Sequence, residues 1–239
     1  YAIEFLPPEV DQKFGELAGE NMDHGGSEVH DSAIVEPVQE IVGILETAVR
    51  EVDGKDWMFD VHVIDADIEN AYALPGGYIV VYTGLLKEME RPEQLAGVLA
   101  HEMAHVTERH GLERIIKMVG VAFVVDGLLG DVEGMIALGV EFLSFSTINA
   151  YSRAAEAEAD LKGLAFLQEA QIDPRGLIEF FSKLEEIGED VDDMIPEWAS
   201  SHPDHQVRIR SLEESIDKSI KIDDLGEKIA WKELKDRLE

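Results

Sequence analysis

In the stretch VLAHEMAHVTERHG, residues 98–111, two histidines stand four residues apart inside an apolar frame. On a helix of 3.6 residues per turn, His101 and His105 stack on one face, and each can aim an imidazole nitrogen at a single ion. Glu102 falls at the edge of that face, about 100° from His101 and about 60° from His105. That is close enough to hold a water on such an ion without ligating the ion itself. Pro92 at a first-turn position and the core contacts of Leu95, Val98, Leu99, Ala100 and Met103 predict the helix. The fold must therefore surround an apolar helix that carries half of a metal site, with a further ligand brought from another segment.

The search for that ligand starts beyond His105. A metzincin needs glycine three residues on and histidine three further, but those positions are Glu108 and Gly111. His110 lies about 140° from His105 around a continuous helix and is expected to point elsewhere. The better candidate is YSRAAEAEADLKGLAFLQEA, residues 151–170, which reads as a helix dense in alanine and leucine. Glu156 and Asp160 share a face there, with Glu158 nearly opposite. Glu156 can close a site of two histidines and one carboxylate with a fourth position open for water, and Asp160 can accept a hydrogen bond from the second nitrogen of a ligand histidine. Taken alone, Glu156, Glu158 and Asp160 read instead as a solvated acidic face. Their conjunction with the histidine pair favours the metal.

Before the metal helix, WMFDVHVID alternates apolar and polar positions as a half-buried strand does. NAYAL, a Pro75-Gly76-Gly77 turn and YIVVY then read as a strand pair. An extended peptide binds such a sheet by adding to its edge, where main-chain hydrogen bonds supply affinity.

HEMAH at 101–105, SRAAEAEAD at 152–160 and HPDHQVR at 202–208, together with NAYALPGGYIVVYTGLL at 70–86, resemble one family across roughly residues 30–215. It is the family of zinc metallopeptidases that includes HtpX-type heat-shock proteases, CAAX prenyl proteases and their soluble envelope relatives. The resemblance implies His101, His105 and Glu156 as ligands of one zinc, Glu102 as the catalytic glutamate and Asp160 as the support of a ligand histidine. Asn70-Ala71-Tyr72 looks like the edge-strand segment that grips substrate in thermolysin-like enzymes; an ordinary core strand is the alternative. His202 and Arg208 match the family's histidine and arginine. Both are donors suited to stabilising an oxyanion. His202 could instead cap the open zinc position and hold the enzyme latent, and a surface histidine with a salt-bridged arginine is the third reading.

Composition bounds the rest. The 51 acidic residues against 20 basic ones give a formal charge of −31, which repels nucleic acid and anionic membrane surfaces and suits solubility or salt. With no cysteine, the metal must be held by nitrogen and oxygen. Residues 115–148 are the most apolar, but Lys117, Asp126, Asp131, Glu133 and Glu141 interrupt them short of a span. Two buried helices with a turn near Gly130-Asp131 are expected there, as in a soluble variant of the family, with peripheral membrane contact left open. A start at Tyr1 without methionine points to a processed chain and an envelope or extracytoplasmic location.

Apolar spacing at Ile34, Val38, Ile41, Val42, Leu45 and Val49 predicts an amphipathic helix over 31–52, and Asp173-Pro174 opens another. The expected organisation is a helical lead-in at 1–30, a metallopeptidase domain at 31–204 and a charged helical tail at 205–239, packed on or extending from the same domain. The expected fold is α+β and mainly helical, zincin-like, with a small sheet above the metal helix. The expected function is zinc-dependent endopeptidase action on unfolded or extended polypeptide in protein quality control. The alternative is a metal-binding, chaperone-like module that cleaves little.

Overall fold

The computed structural model describes residues 3, 6–119, 151–190, 198, 202 and 205–239. Its elements run α1 (Glu9–Asn21), β1 (Ser27–Glu28), α2 (Ser32–Asp53), β2 (Asp60–Asp65), β3 (Ala71–Ala73), β4 (Tyr78–Tyr82), α3 (Thr83–Glu88), α4 (Pro92–Thr107) and α5 (His110–Val119). They continue with α6 (Arg153–Glu169), α7 (Arg175–Asp190), α8 (His205–Ser215), a short 3-10 turn (Leu225–Glu227) and α9 (Trp231–Leu238). The expected helix pair around Gly130-Asp131 lies outside the described residues. No helix among the described residues is long and apolar enough to cross a membrane.

Local chemistry sets the ends of these helices. Asp31 caps α2, its carboxylate accepting the Ala33 N–H at 3.1 Å, and Gly54 ends that helix in the left-handed region at φ 69°. Pro92 opens α4 at the first turn, where its missing N–H costs nothing. Ser152 caps α6 by accepting the Ala155 N–H at 3.2 Å. The carboxylate of Asp173 accepts the Arg175 N–H at 3.1 Å at the head of α7.

Every residue of α4 from Pro92 to Thr107 is buried. The helix runs through the middle of the core, with the inner faces of α2, β2 and β4, parts of α6 and α7, and Trp231 and Leu234 of α9 packed around it. Helix α6 comes especially near: a Cβ added at Gly163 would stand 3.1 Å from the carbonyl of Ala100. A side chain there would have to push the α4 backbone by a few tenths of an ångström.

The sheet has the order β1-β2-β4-β3. β2 and β4 are parallel, while β1 pairs with β2 and β3 with β4 antiparallel. The expected hairpin is β3-β4, closed by Gly76 and Gly77 at φ 87° and 95° and leaving β3 at the sheet edge. Val61, Val63, Ile79 and Val81 face the central core, and Ile64, Val80 and Tyr82 form a smaller cluster on the other face. α1 packs Val10, Phe14 and Ala18 against Leu74, Leu112 and Ile115.

Residues 205–239 are not one helical run. Asp217 turns the chain back on itself by accepting the Ser219 N–H at 2.8 Å, and its own N–H donates to Gln168 at 2.8 Å. Leu225, Ile229, Trp231 and Leu234 then join the central core.

Candidate active site

α4 and α6 lie side by side, and their facing residues meet at one buried point. His101 and His105 project from α4 as the spacing predicts, with Nε2 atoms 3.0 Å apart. Glu156 comes from the first turn of α6, its Oε2 lying 3.5 Å from His101 Nε2 and its Oε1 3.6 Å from His105 Nε2. His202 completes the group, with Nδ1 3.3 Å from His101 Nε2 and 3.0 Å from Glu156 Oε1. The four residues are buried, offer donor atoms all within 4.8 Å of one another, and could hold a metal ion.

Around this group the next residues are equally ordered. Asp160 stands one turn beyond Glu156, with Oδ1 3.0 Å from His101 Nδ1. The Arg208 guanidinium lies behind the carboxylates, donating to Asp160 at 2.7 Å from both Nε and Nη2 and to the His202 carbonyl at 3.0 Å. It also lies 2.8 Å from Glu156 Oε2. Burial disfavours charge on His101, but Asp160 and Glu156 outweigh it and lift its pKa to about 9. On Glu156 burial is outweighed by His202 and His101, which hold the carboxyl below its usual range. Glu102, Glu156 and Asp160 are buried here with the Arg208 guanidinium and the imidazoles of His101, His105 and His202, a set of carboxylates and ring nitrogens whose chemistry suits a bound cation.

Glu102 sits beside the group, as expected. Its Oε2 accepts the Ala73 N–H at 3.1 Å. Its Oε1 makes no hydrogen bond among the described residues and lies 3.4 Å from His202 Nε2. Burial raises the affinity of this carboxylate for a proton above the usual glutamate value, against the opposing charges of His202 and His101.

Two histidines and one glutamate at the spacing His-Glu-x-x-His thus meet a second glutamate from a helix distant in the chain. The description "Peptidase family M48" matches residues 37–216, three quarters of the chain and the whole of this site. The chain belongs to peptidase family M48. Among curated proteins, the mitochondrial metalloendopeptidase OMA1 of Danio rerio is 31% identical over 231 residues, covering 88% of this chain and 48% of its own length. Its counterpart in Schizosaccharomyces pombe is 32% identical and covers 66% of this chain and 47% of its own length. The beta-barrel assembly-enhancing protease of Yersinia pestis is 31% identical, covering 61% of this chain and 32% of its own length. The M48 chain thus spans about half or less of the length of the relatives it matches.

Asn70, Ala71 and Tyr72 are brought to the sheet edge over the metal helix. The Leu74 N–H donates to the Tyr78 carbonyl at 2.8 Å, and the Tyr82 N–H to the Asn70 carbonyl at 3.2 Å. Even-numbered residues of this strand therefore bond inward to β4, and Ala71 and Ala73 turn their main-chain groups to the sheet edge, where the Ala73 N–H meets Glu102. Asn70 and Ala71 are buried, Tyr72 is half-buried, and Asn70 Oδ1 has no hydrogen-bond donor among the described residues.

Two expectations fail on the same feature. The helix does not continue to His110: α4 stops at Thr107, Arg109 takes φ 58°, and α5 starts afresh. His110 consequently does not point elsewhere but returns to the site, its Nδ1 2.9 Å from His105 Nδ1. Glu158, opposite Glu156 on α6, reaches His110 Nε2 at 3.4 Å. Tyr151 was also missed: it stacks on the His105 ring with centroids 4.0 Å apart. An aromatic residue just before a ligand-bearing helix was the one signal available for it.

Proposed function

We propose that this M48 chain is a zinc-dependent metalloendopeptidase that cuts unfolded or extended polypeptide in protein quality control. The observation that carries the reading is the shape of the donor group. Ligand atoms at zinc distance in a tetrahedron stand about 3.3 Å from one another. The separations among His101, His105, His202 and the two oxygens of Glu156 run from 3.0 to 3.6 Å, and one donor atom from each residue lies within 4.8 Å of the others. His101, His105 and Glu156 would hold one zinc, with His202 directed into the same donor group.

Zinc in this setting supplies Lewis-acid polarisation of the scissile carbonyl and makes a water acidic enough to attack near neutral pH. Glu102 is placed to take the proton as the water oxygen bonds the carbonyl carbon, and to give it to the amine nitrogen as the C–N bond breaks. Its buried, proton-seeking carboxylate is suited to both transfers. The substrate strand lies against β3 and hydrogen bonds to the outward main-chain groups of Ala71 and to the Ala73 carbonyl, the Ala73 N–H being held by Glu102. Asp160 holds the proton on His101 Nδ1, leaving Nε2 free for the metal. Arg208 is occupied by the ligand carboxylates, and we read it as their brace in place of the oxyanion donor that sequence alone suggests.

Within the family we place the chain among envelope members, in keeping with relatives named for the mitochondrion and for β-barrel assembly. An extracytoplasmic location follows from that placement. The test is Glu102→Gln, which is nearly isosteric and cannot accept the proton. It should bind zinc as the wild type does while losing on the order of 10²–10⁴ in hydrolysis of an unfolded protein. A zinc-replete variant that still cleaves would defeat the assignment.

A further inference from the structure

Arg109 stands in the left-handed region at φ 58°, where residues with a Cβ are uncommon. Its side chain explains how it is kept there. Nη2 and Nε donate to the buried Asp11 carboxylate at 2.5 and 3.3 Å, and Nη1 donates to the carbonyls of Ile3 and Leu6 at 3.0 and 2.9 Å. The amino-terminal segment thus clasps the turn between α4 and α5. The turn in its place brings the His110 ring back over α4, instead of the position a continuous helix would give it.

The contact His110 makes there has only one consistent arrangement of protons if His105 is a ligand. His105 directs Nε2 into the donor group, so a neutral ring must carry its proton on Nδ1. That proton points at His110 Nδ1, 2.9 Å away, which must accept. The proton of His110 then lies on Nε2, facing the half-exposed Glu158 carboxylate at 3.4 Å. His101 receives the equivalent service from Asp160. The two ligand histidines therefore differ: one is supported by a buried anion and the other by a neutral ring backed by an exposed carboxylate.

We propose that His110 is a positioning residue for the metal site, fixing the ring orientation and tautomer of His105, with Arg109 holding His110 in place and Glu158 completing the chain. The inference rests on the reading of His105 as a metal ligand. Support of this kind is typically worth about tenfold to a hundredfold in metal affinity.

The experiment is zinc affinity of the full chain, measured by competition with a chromophoric chelator, with circular dichroism on every variant. His110→Ala should weaken zinc by about tenfold to a hundredfold. His110→Asn, whose amide oxygen can stand where Nδ1 stands, should restore most of the loss. A role in ring packing alone would not be rescued by that smaller side chain. Arg109→Ala should weaken zinc by the same route and add little to His110→Ala in the double variant. Wild-type affinity in His110→Ala, or an asparagine variant as weak as the alanine one, overturns the proposal. If His110→Ala does not fold, Glu158→Ala at its exposed position decides: weaker zinc binding supports the chain of contacts and unchanged binding overturns it. His105→Ala separates the two levels. If it binds zinc like the wild type, the metal reading fails and this proposal with it; if it loses zinc while the His110 and Glu158 variants do not, this proposal alone fails.

Discussion

His202 shows its two ring nitrogens to two kinds of partner. Nδ1 faces Glu156 and His101 at 3.0 and 3.3 Å, and Nε2 faces Glu102 at 3.4 Å. Its ring stacks on Trp198 with centroids 4.4 Å apart, and its main-chain N–H donates to the Trp198 carbonyl at 3.0 Å. An oxyanion donor would have to face a substrate carbonyl, whereas this ring turns a nitrogen into the ligand cluster. We therefore propose the latch role for His202, whose ring is held against Trp198. His202→Ala should raise basal peptidase activity at unchanged zinc content; a fall in kcat would restore the donor role. At this scale the sequence was informative wherever chemistry follows local periodicity: the four-residue steps from His101 to His105 and from Glu156 to Asp160 each put two side chains on one face. His110 was misplaced because periodicity assumes the helix continues. Its break depends on Asp11 and the carbonyls of Ile3 and Leu6, about a hundred residues away along the chain.

At the scale of elements, the metal site is a contact between two helices, and its geometry depends on their separation. Gly163 sits against Ala100, one residue from His101, so closely that a Cβ would stand 3.1 Å from the α4 backbone. Gly163→Val should push α6 from α4, draw Glu156 away from the histidine pair and weaken zinc, with overpacking costing about 1–3 kcal/mol. Chelator competition and denaturant unfolding measure the two effects; unchanged values in both would show that the helices can part without disturbing the site. The helices themselves and the β3-β4 hairpin were readable from caps, Pro75-Gly76-Gly77 and alternating apolar residues. The parallel pairing of β2 with β4 was not, because it joins strands separated by β3 and leaves no local mark. β1 is only two residues long, too short for any period to show. The turn at Asp217 and the return of Trp231 to the core were hidden by the charge of residues 205–239, which reads as a solvated helix when packing partners are unknown.

Over the whole molecule, the formal charge of −31 sets the conditions under which the fold is stable. Like charges on one surface repel within the Debye length, about 30 Å at 0.01 M ionic strength and about 3 Å at 1 M. Isolated surface ion pairs contribute little by comparison. Raising sodium chloride from 0.01 M to 0.5 M should therefore increase Tm, whereas sucrose at matched osmolality should not reproduce the whole increase. A Tm that falls with salt would mean that ion pairs such as Lys162 with Asp53 and Glu108, at 2.8 and 2.7 Å, outweigh the repulsion.

The same charge concentrates cations around a core that buries Glu102, Glu156 and Asp160 among His101, His105, His202 and Arg208, so the whole account depends on what sits among them. Crystals of the full chain grown with zinc and measured on both sides of the zinc absorption edge address this directly. The account predicts one anomalous peak per chain, about 2.0–2.2 Å from His101 Nε2, His105 Nε2 and a Glu156 oxygen. A peak held by other residues, or none there at saturating zinc, would contradict it.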